Sequence, residues 1–449
     1  MSQTTIIKNA QLVNEGEITE SDVLLKGGRI EKIAPDIVAP GDADVIDANG
    51  HHLLPGIIDD QVHFREPGLT HKGNFHTESR AAVAGGITSY MEMPNSNPTT
   101  TDAEQLEWKY TRASQTSAAN YGFYFGATND NIDEIRALDP AATCGVKIFM
   151  GASTGNMLVD NESTLAAIFR ESPVPIATHC ESTPMINANI ERAMAQYGKQ
   201  IPVTEHARIR SAEACLASSE LAVALARKHG AQLHVLHLTT AREMDLFEPG
   251  PIEGKQITAE ACVHFLHFDE SQYTKYGNRI KCNPSIKTKA DQQGLLQAIR
   301  DGRIDIIATD HAPHTVEEKA SDDYMTAPAG LPLVQDFLVA TLELVHQGKL
   351  DLHTVVRGMT HNPARRFSVV ERGFIREGYH ADLVLVNMEG TTEVTADKVL
   401  SRCGWSPFEG RRFNSRVEAV WVNGVLAFDG EQLIEHGAAE RLQFNHRPR

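Results

Sequence analysis

Five side chains that can bind a metal or carry a proton stand at or near the ends of short apolar runs. They are His63, Lys147, His179, His237 and Asp310. A single histidine near a strand end is usually a hydrogen-bonded structural group, and a single aspartate there is often a helix cap. Several runs that each deliver one such side chain to the same place are poorly explained in that way. The pattern therefore predicts a metal centre assembled from distant segments.

Lys147 adds to this prediction because it lies in the middle of an apolar run, GVKIFMG, between Val146 and Ile148. A lysine in such a strand loses its water, which is costly unless the amine is paired or chemically modified. Lys147 is therefore counted with the predicted metal centre.

The first apolar run ends in the sequence DDQVHFREPG, which begins at Asp59. The alternation of side chains along a strand places Gln61, His63 and Arg65 on one side. An arginine beside a metal ligand is suited to grip a substrate carboxylate with its planar fork of donors. The alternative for Arg65 is a salt bridge with Glu66 at the rim.

The elements that must position these residues alternate between short β-rich runs and helical stretches. The β-rich runs are 53–64, 86–94, 121–128, 145–151, 174–180, 232–240, 255–265 and 305–313, and the clearest helix is 209–229. Eight such runs over roughly 260 residues predict an α/β fold, a (β/α)₈ TIM-type barrel. In that barrel functional groups collect at the C-terminal ends of the strands, where His63, His179, His237 and Asp310 occur.

The two ends of the chain have a different pattern of short strands and hairpin turns. We expect residues 1–52 and 372–449 to form one small β-sandwich beside a barrel of residues 53–371, with two independent flaps as the alternative. The predicted domains are therefore a split sandwich around one barrel.

Composition excludes several classes of function. The 449 residues include 42 basic and 59 acidic side chains, a net charge of −17, which argues against nucleic-acid binding. No apolar run approaches the roughly 18 residues of a membrane span, and the N-terminus lacks a secretory signal pattern. The six cysteines show no paired spacing, which favours a reducing cytoplasm over a disulfide framework.

A family resemblance rests on motifs that occur in order along nearly the whole chain: PGIIDDQVHFREPG, EMPNSNP, GVKIFMG, THCE, HVLHLTT, TAEACVHF, CNPSIK and ATDHAPH. Together they resemble the dihydroorotases of the amidohydrolase superfamily. The resemblance implies the barrel with its composite end domain, a centre of one or two Zn²⁺ ions, and a small-molecule substrate. It implies reversible cyclisation of N-carbamoyl-L-aspartate to L-dihydroorotate in pyrimidine (UMP) biosynthesis. Homodimers are usual among similar proteins.

By the same resemblance, His63, His179, His237 and Asp310 are the metal ligands. Lys147 falls where many members carry a lysine carboxylated by CO₂, whose carbamate bridges two metals, and desolvation would give the free amine that reaction needs. The metals would polarise the amide carbonyl and supply hydroxide near neutral pH. Asp310 would move the proton from that hydroxide to the leaving ring nitrogen.

The resemblance also implies substrate contacts. Arg65 and Asn95 would hold the carboxylate, which hydantoins, dihydropyrimidines and allantoin lack. Asn283 and His314 match further contacts, and the backbone at Ala329 and Gly330 would bind polar atoms of the ring. The polar segment 315–330, with its glycine and prolines, has a composition that a lid could have.

The match departs from the family at Gln61, where the pattern normally has the first histidine of His-x-His. An amide oxygen is a weaker zinc ligand than an imidazole nitrogen. Three alternatives remain open: one strongly held zinc, two metals with Gln61 or water completing the weaker one, or a catalytically inactive relative kept for assembly. At the level of function, the alternatives are another cyclic amidase of the dihydropyrimidinase, hydantoinase or allantoinase type, and a non-catalytic dihydroorotase-like subunit.

Overall fold

A computed structural model describes residues 4–151 and 157–446 of the chain. The strands are β1 (Thr4–Asn14), β2 (Glu17–Lys26), β3 (Arg29–Ala34), β4 (Asp44–Asp47), β5 (His52–Pro55), β6 (Ile57–Val62), β7 (Ile87–Glu92), β8 (Asn120–Phe123), β9 (Phe125–Gly126), β10 (Val146–Phe149), β11 (Ile176–His179), β12 (Leu233–Val235), β13 (Ile257–Cys262), β14 (Ile306–Ala308), β15 (Leu383–Asn387), β16 (Thr392–Glu393), β17 (Arg412–Phe413), β18 (Arg416–Val422) and β19 (Val425–Phe428). The α-helices are α1 (Phe75–Ala84), α2 (Ala103–Thr116), α3 (Ile132–Arg136), α4 (Glu162–Glu171), α5 (Thr183–Tyr197), α6 (His206–Ile209), α7 (Ala212–His229), α8 (Val263–His267), α9 (Tyr273–Tyr276), α10 (Lys289–Asp301), α11 (Val316–Lys319), α12 (Phe337–His346), α13 (Leu352–Val356) and α14 (Asn362–Arg366).

Strands β6 to β14 form the barrel, in which neighbours are parallel and follow chain order. The strands β8 and β9 are two parts of one barrel strand, separated at Tyr124. The first and last strands meet through a parallel bridge between Val62 and His311. Every predicted run contains one of these strands, so the predicted barrel is confirmed.

The barrel strands are buried along nearly their whole length; all six residues of β6 and of β7 are buried. This is expected for parallel strands that are covered by helices outside and by side chains inside. The predicted helix 209–229 is present as α6 and α7 with a turn at Arg210 between them. Ser211 caps the start of α7, and Gly230, in the left-handed conformation, ends it.

The two ends of the chain build one eight-stranded sheet in the order β19-β18-β15-β5-β1-β2-β3, with β4 paired to β1. The joint lies between β5 and β15, which pair antiparallel from His52 to Pro55. Two-residue hairpins at Gly27–Gly28 and Asn423–Gly424 have positive φ at both positions, as tight hairpins between twisted strands require. The prediction that both ends of the chain form one end domain is confirmed, and the alternative of two independent flaps is wrong.

The sheet has two buried faces. Val23, Leu383 and Trp421 belong to a core that both ends of the chain contribute, whereas Val384 and Val420 pack with the barrel. The boundaries at residues 52 and 371 stay a prediction. Within the described residues, no helix is both long and apolar enough to cross a membrane.

Candidate active site

The closure of the barrel positions the residues at its mouth. Asp59, on the first barrel strand, accepts two hydrogen bonds from Thr309, the residue that follows the last barrel strand. The Thr309 hydroxyl donates at 2.6 Å and the Thr309 backbone N–H donates at 3.2 Å. The His63 N–H donates to the His311 carbonyl at 2.7 Å. These bonds bring the ends of the first and last barrel strands together, and with them His63 and Asp310.

Three predicted site residues have left-handed backbones: Arg65 with φ 72°, His237 with φ 41° and Asp310 with φ 50°. For residues other than glycine this conformation costs about 1–3 kcal/mol each and is concentrated at functional sites. All three lie just beyond the C-terminal ends of barrel strands. The surrounding contacts therefore hold these side chains in positions that the free backbone would avoid.

One half of the mouth is the histidine pair, His179 and His237. His179 Nδ1 lies 2.9 Å from His237 Nε2, and the other His179 nitrogen donates to the Glu181 carboxylate at 2.9 Å. Because a carboxylate accepts, His179 Nε2 carries the proton and Nδ1 presents its lone pair. Nitrogens on one tetrahedral zinc stand roughly 3.3 Å apart, so the pair is within a few tenths of an ångström of ligand spacing.

Glu181 is itself fixed by an ion pair with Arg210. A carboxylate that orients a ligating histidine in this way also sets its tautomer and raises its basicity. The sequence analysis did not single out Glu181 or Arg210, although Glu181 lies within the THCE motif. The donor set of the histidine pair fits a zinc ion.

The other half of the mouth is the aspartate cluster, which consists of Gln61, His63, Asn95 and Asp310. Asp310 Oδ1 lies 3.1 Å from both Gln61 Nε2 and His63 Nε2, and His63 Nδ1 lies 2.7 Å from Asn95 Oδ1. Burial alone would raise the pKa of Asp310, but the His63 hydrogen bond and the nearby imidazoles lower it to about 2. The Asp310 carboxylate is therefore ionised and acts as an acceptor.

Lys147 is a buried amine whose charge acts on histidines of both halves. Its side chain is 1% exposed and its ammonium stands 4.7 Å from the centre of the Phe149 ring. Burial lowers its pKa to about 8, and its charge in turn acts on the pKa of His63, His179 and His237. A buried amine with this pKa is partly neutral near physiological pH, as carbamate formation requires.

Arg65 is 9% exposed, and burial lowers its pKa to about 10. Its Nε donates to the Pro313 carbonyl at 3.0 Å, and Nη2 lies 3.1 Å from His314 Nε2. Glu66 is paired with Arg112 instead, so the alternative of an Arg65–Glu66 salt bridge is wrong. Among the described residues, no carboxylate forms an ion pair with Arg65.

His314 links this arginine to the predicted ring-binding backbone. Its Nδ1 lies 2.9 Å from the Lys72 ammonium and its Nε2 lies 3.0 Å from the Ala329 carbonyl. Since Lys72 can only donate, Nδ1 accepts and Nε2–H donates to Ala329. His314 Nε2 then has no lone pair for Arg65, and the Arg65 Nη2 donors stay available.

The segment after His314 is tied down by Lys319, whose ammonium donates to the carbonyls of Lys281, Pro328 and Gly330 at 2.9–3.0 Å. Gly330 has φ 142°, and a Cβ there would stand 2.4 Å from the Ala312 carbonyl oxygen. This close approach holds Ala329 and Gly330 against His314. The Asn283 side-chain oxygen, in contrast, is buried without a hydrogen bond.

A buried acidic cluster deeper in the barrel escaped the sequence analysis. Asp60, His234 and Glu260 bring their ligand atoms within 4.8 Å of one another, close enough to hold a metal ion. His234 Nε2 lies 3.2 Å from both carboxylates, and Glu260 also accepts the His237 N–H at 2.9 Å. Only the position of Asp60 next to Gln61 hinted at this cluster, since His234 and Glu260 lie inside strand patterns.

Comparison with known proteins identifies the family to which this chain belongs. The amidohydrolase family model matches residues 52–427. An allantoinase from Deinococcus radiodurans is 32% identical over 94% of this chain and 95% of that protein, and a dihydroorotase from Halobacterium salinarum is 32% identical over 95% and 97%. The solved structure of an L-hydantoinase (dihydropyrimidinase) from Arthrobacter aurescens has a TM-score of 0.93 at 27% identity and covers 99% of this chain and 100% of that one. The chain belongs to the amidohydrolase family and is a hydrolase of carbon–nitrogen bonds.

Proposed function

We propose that this hydrolase is a zinc-dependent dihydroorotase, which interconverts N-carbamoyl-L-aspartate and L-dihydroorotate. The observation that carries the proposal is the buried Arg65 guanidinium at the mouth, which has no carboxylate partner among the described residues and keeps Nη2 donors free. A buried cation of this kind is costly unless a ligand supplies the counter-charge. Dihydroorotate carries such a carboxylate, whereas the other cyclic amides considered above are uncharged there.

The residues that would hold zinc are His179, His237 and the carboxylated Lys147, with His63 and Asp310 beside them. Bound zinc would polarise the ring amide and lower the pKa of water. Asp310 would accept the proton of the attacking water and return it to the ring nitrogen. Arg65 and Asn95 would hold the substrate carboxylate, and His314, Asn283 and the Ala329–Gly330 backbone would orient the ring.

A second candidate is a cyclic amidase for an uncharged ring. It is favoured by the likeness to proteins named allantoinase and L-hydantoinase, which is as extensive as the likeness to dihydroorotases. This candidate assigns no carboxylate to Arg65 and therefore expects turnover that does not depend on that side chain. A non-catalytic subunit would show no turnover of any of these rings.

The test is a substrate panel with zinc-loaded and chelator-treated protein. L-dihydroorotate, hydantoin, dihydrouracil and allantoin are each followed for ring opening. Turnover of dihydroorotate that chelation abolishes and zinc restores is the expected result. Turnover confined to uncharged rings would reject the dihydroorotase in favour of the second candidate, and folded, zinc-loaded protein without turnover would support the non-catalytic subunit.

Two further expectations belong to this proposal. We propose a cytoplasmic location, which agrees with six buried cysteines that are all free thiols. We also propose a homodimer, as is usual among similar proteins. Light scattering on the purified protein at several concentrations measures the second of these directly.

A further inference from the structure

Gln61 stands where the resemblance leads us to expect the first histidine of His-x-His, and its side chain is buried in the aspartate cluster. Its amide nitrogen lies 3.1 Å from Asp310 Oδ1, and its amide oxygen lies 4.0 Å from the Cys262 thiol sulfur. An ionised carboxylate needs a donor, and a thiol is a weak donor. Both neighbours therefore favour the same orientation of the amide.

This orientation matters because only the oxygen of an amide can bind a metal. In Gln61 that oxygen faces Cys262, and the nitrogen faces the carboxylate that would otherwise be a ligand. His63 Nδ1 donates to Asn95 Oδ1, which leaves the Nε2 lone pair facing the same Asp310 oxygen. In the aspartate cluster Gln61 therefore supplies a hydrogen-bond donor to Asp310 and no ligand atom for a metal.

The histidine pair has the opposite character. His179 Nδ1 presents a lone pair toward His237 Nε2, with Lys147 on the adjoining strand. His237 Nδ1 is buried without a hydrogen bond. Among the described residues, no amide side chain donates to either histidine of this pair.

We propose that the centre of this chain holds a single metal ion, bound by His179, His237 and the modified Lys147, and that Gln61 occupies the place of a second one. The inference rests on the proposed zinc dependence. In this arrangement Gln61 is a positioning residue: its amide N–H holds Asp310 Oδ1 and leaves Oδ2 as the oxygen that exchanges the proton. The positive charge that a second metal would supply at Asp310 is replaced in part by this N–H donor.

Metal content measured by mass spectrometry, together with an anomalous difference map of zinc-loaded crystals, tests this directly. We expect one zinc per chain and one peak between His179 and His237. A second peak beside His63 and Asp310, or two tightly held ions per chain, would overturn the inference. A peak only at Asp60, His234 and Glu260 would also overturn it.

Substitution of Gln61 supplies the reverse test. Gln61→His and the nearly isosteric Gln61→Glu each place a metal-binding atom beside Asp310, and we expect zinc content to rise from one to two per chain. Gln292→His, at a buried glutamine elsewhere, is the matched control and is expected to stay at one. If both Gln61 variants fold by circular dichroism and still hold one zinc, Gln61 does not exclude the second ion.

Cobalt substitution gives a readout that is independent of turnover. The wild-type chain should show an uncoupled high-spin Co²⁺ signal, and Gln61→His a signal diminished by coupling between two ions. Protein with two zinc ions and chelator-sensitive turnover would reject only this inference. Protein with neither zinc nor turnover would reject the proposed function as well.

Discussion

The two halves of the barrel mouth both contain histidine, but their side chains are held by different hydrogen-bond partners. In the histidine pair, Glu181 fixes the proton on one side of His179, so that a lone pair faces His237. In the aspartate cluster, the Gln61 amide N–H donates to one oxygen of Asp310, and the single N–H of His63 donates to Asn95. The comparison teaches that the partner of each candidate ligand atom, and not only the count of histidines and carboxylates, distinguishes the two halves.

The largest effect is expected in the aspartate cluster. Asp310→Asn removes the proton acceptor but keeps the shape of the side chain, and we expect kcat for dihydroorotate to fall about 10²- to 10⁴-fold. Asp305→Asn, at the other end of the same strand, is the control and should change stability more than kcat. Zinc content should stay near the wild-type value, because the metal is assigned to the other half. Loss of zinc in Asp310→Asn would contradict that assignment.

Arg65 tests the side of the mouth that faces the substrate. Arg65→Met should cost about 2–4 kcal/mol of transition-state binding for dihydroorotate, or roughly 30- to 1,000-fold in kcat/KM. Arg112→Met, in which the lost arginine is paired with Glu66, should remain within a few-fold of wild type. Steady-state kinetics of the three proteins would make the comparison. Equal kcat/KM for Arg65→Met and wild type would contradict the proposal that Arg65 binds the substrate carboxylate.

Glu181 tests the histidine pair. Glu181→Gln no longer stabilises the His179 proton as a carboxylate does, and we expect the dissociation constant for zinc to rise about 10- to 100-fold. Glu243→Gln is the matched control, because Glu243 is equally buried but bonds to Ser219 and Thr240. Competition with a chromophoric chelator measures both. Unchanged zinc affinity in Glu181→Gln would mean that the pair does not hold the metal.

The smallest effect is a pH dependence of the metal-free protein. Burial lowers the pKa of Lys147 to about 8, so the free amine becomes more abundant as the pH rises through that value. Between pH 7 and pH 9 the neutral fraction rises roughly tenfold. A carbamate signal from ¹³C-labelled bicarbonate should follow this rise and be absent in Lys147→Met. A signal that falls with rising pH would contradict the assignment.

The barrel was predictable because its strands repeat one pattern and because unusual residues stand at their ends. Lys147 shows why this works: a charged residue inside an apolar strand has few structural explanations. His234 and Glu260 show the limit. Each lies inside a strand, where one polar side chain gives no sign of the partner that it meets across the barrel. The orientation of the Gln61 amide was equally hidden, because it depends on Asp310 and Cys262, which are remote in the sequence.

The pairing of β5 with β15 has a consequence for biosynthesis. The N-terminal strands leave the ribosome first, but the strand that completes their sheet is made only after the whole barrel. Until then β5 is an unpaired edge, which is the kind of surface that recruits other chains. The bridges of Arg441 to Tyr121 and of Phe444 to Val369 form only after the residues beyond Phe428 have been synthesised. Nascent chains that stall within the barrel therefore carry a sheet with an unpaired edge at β5, and we expect them to be prone to aggregation.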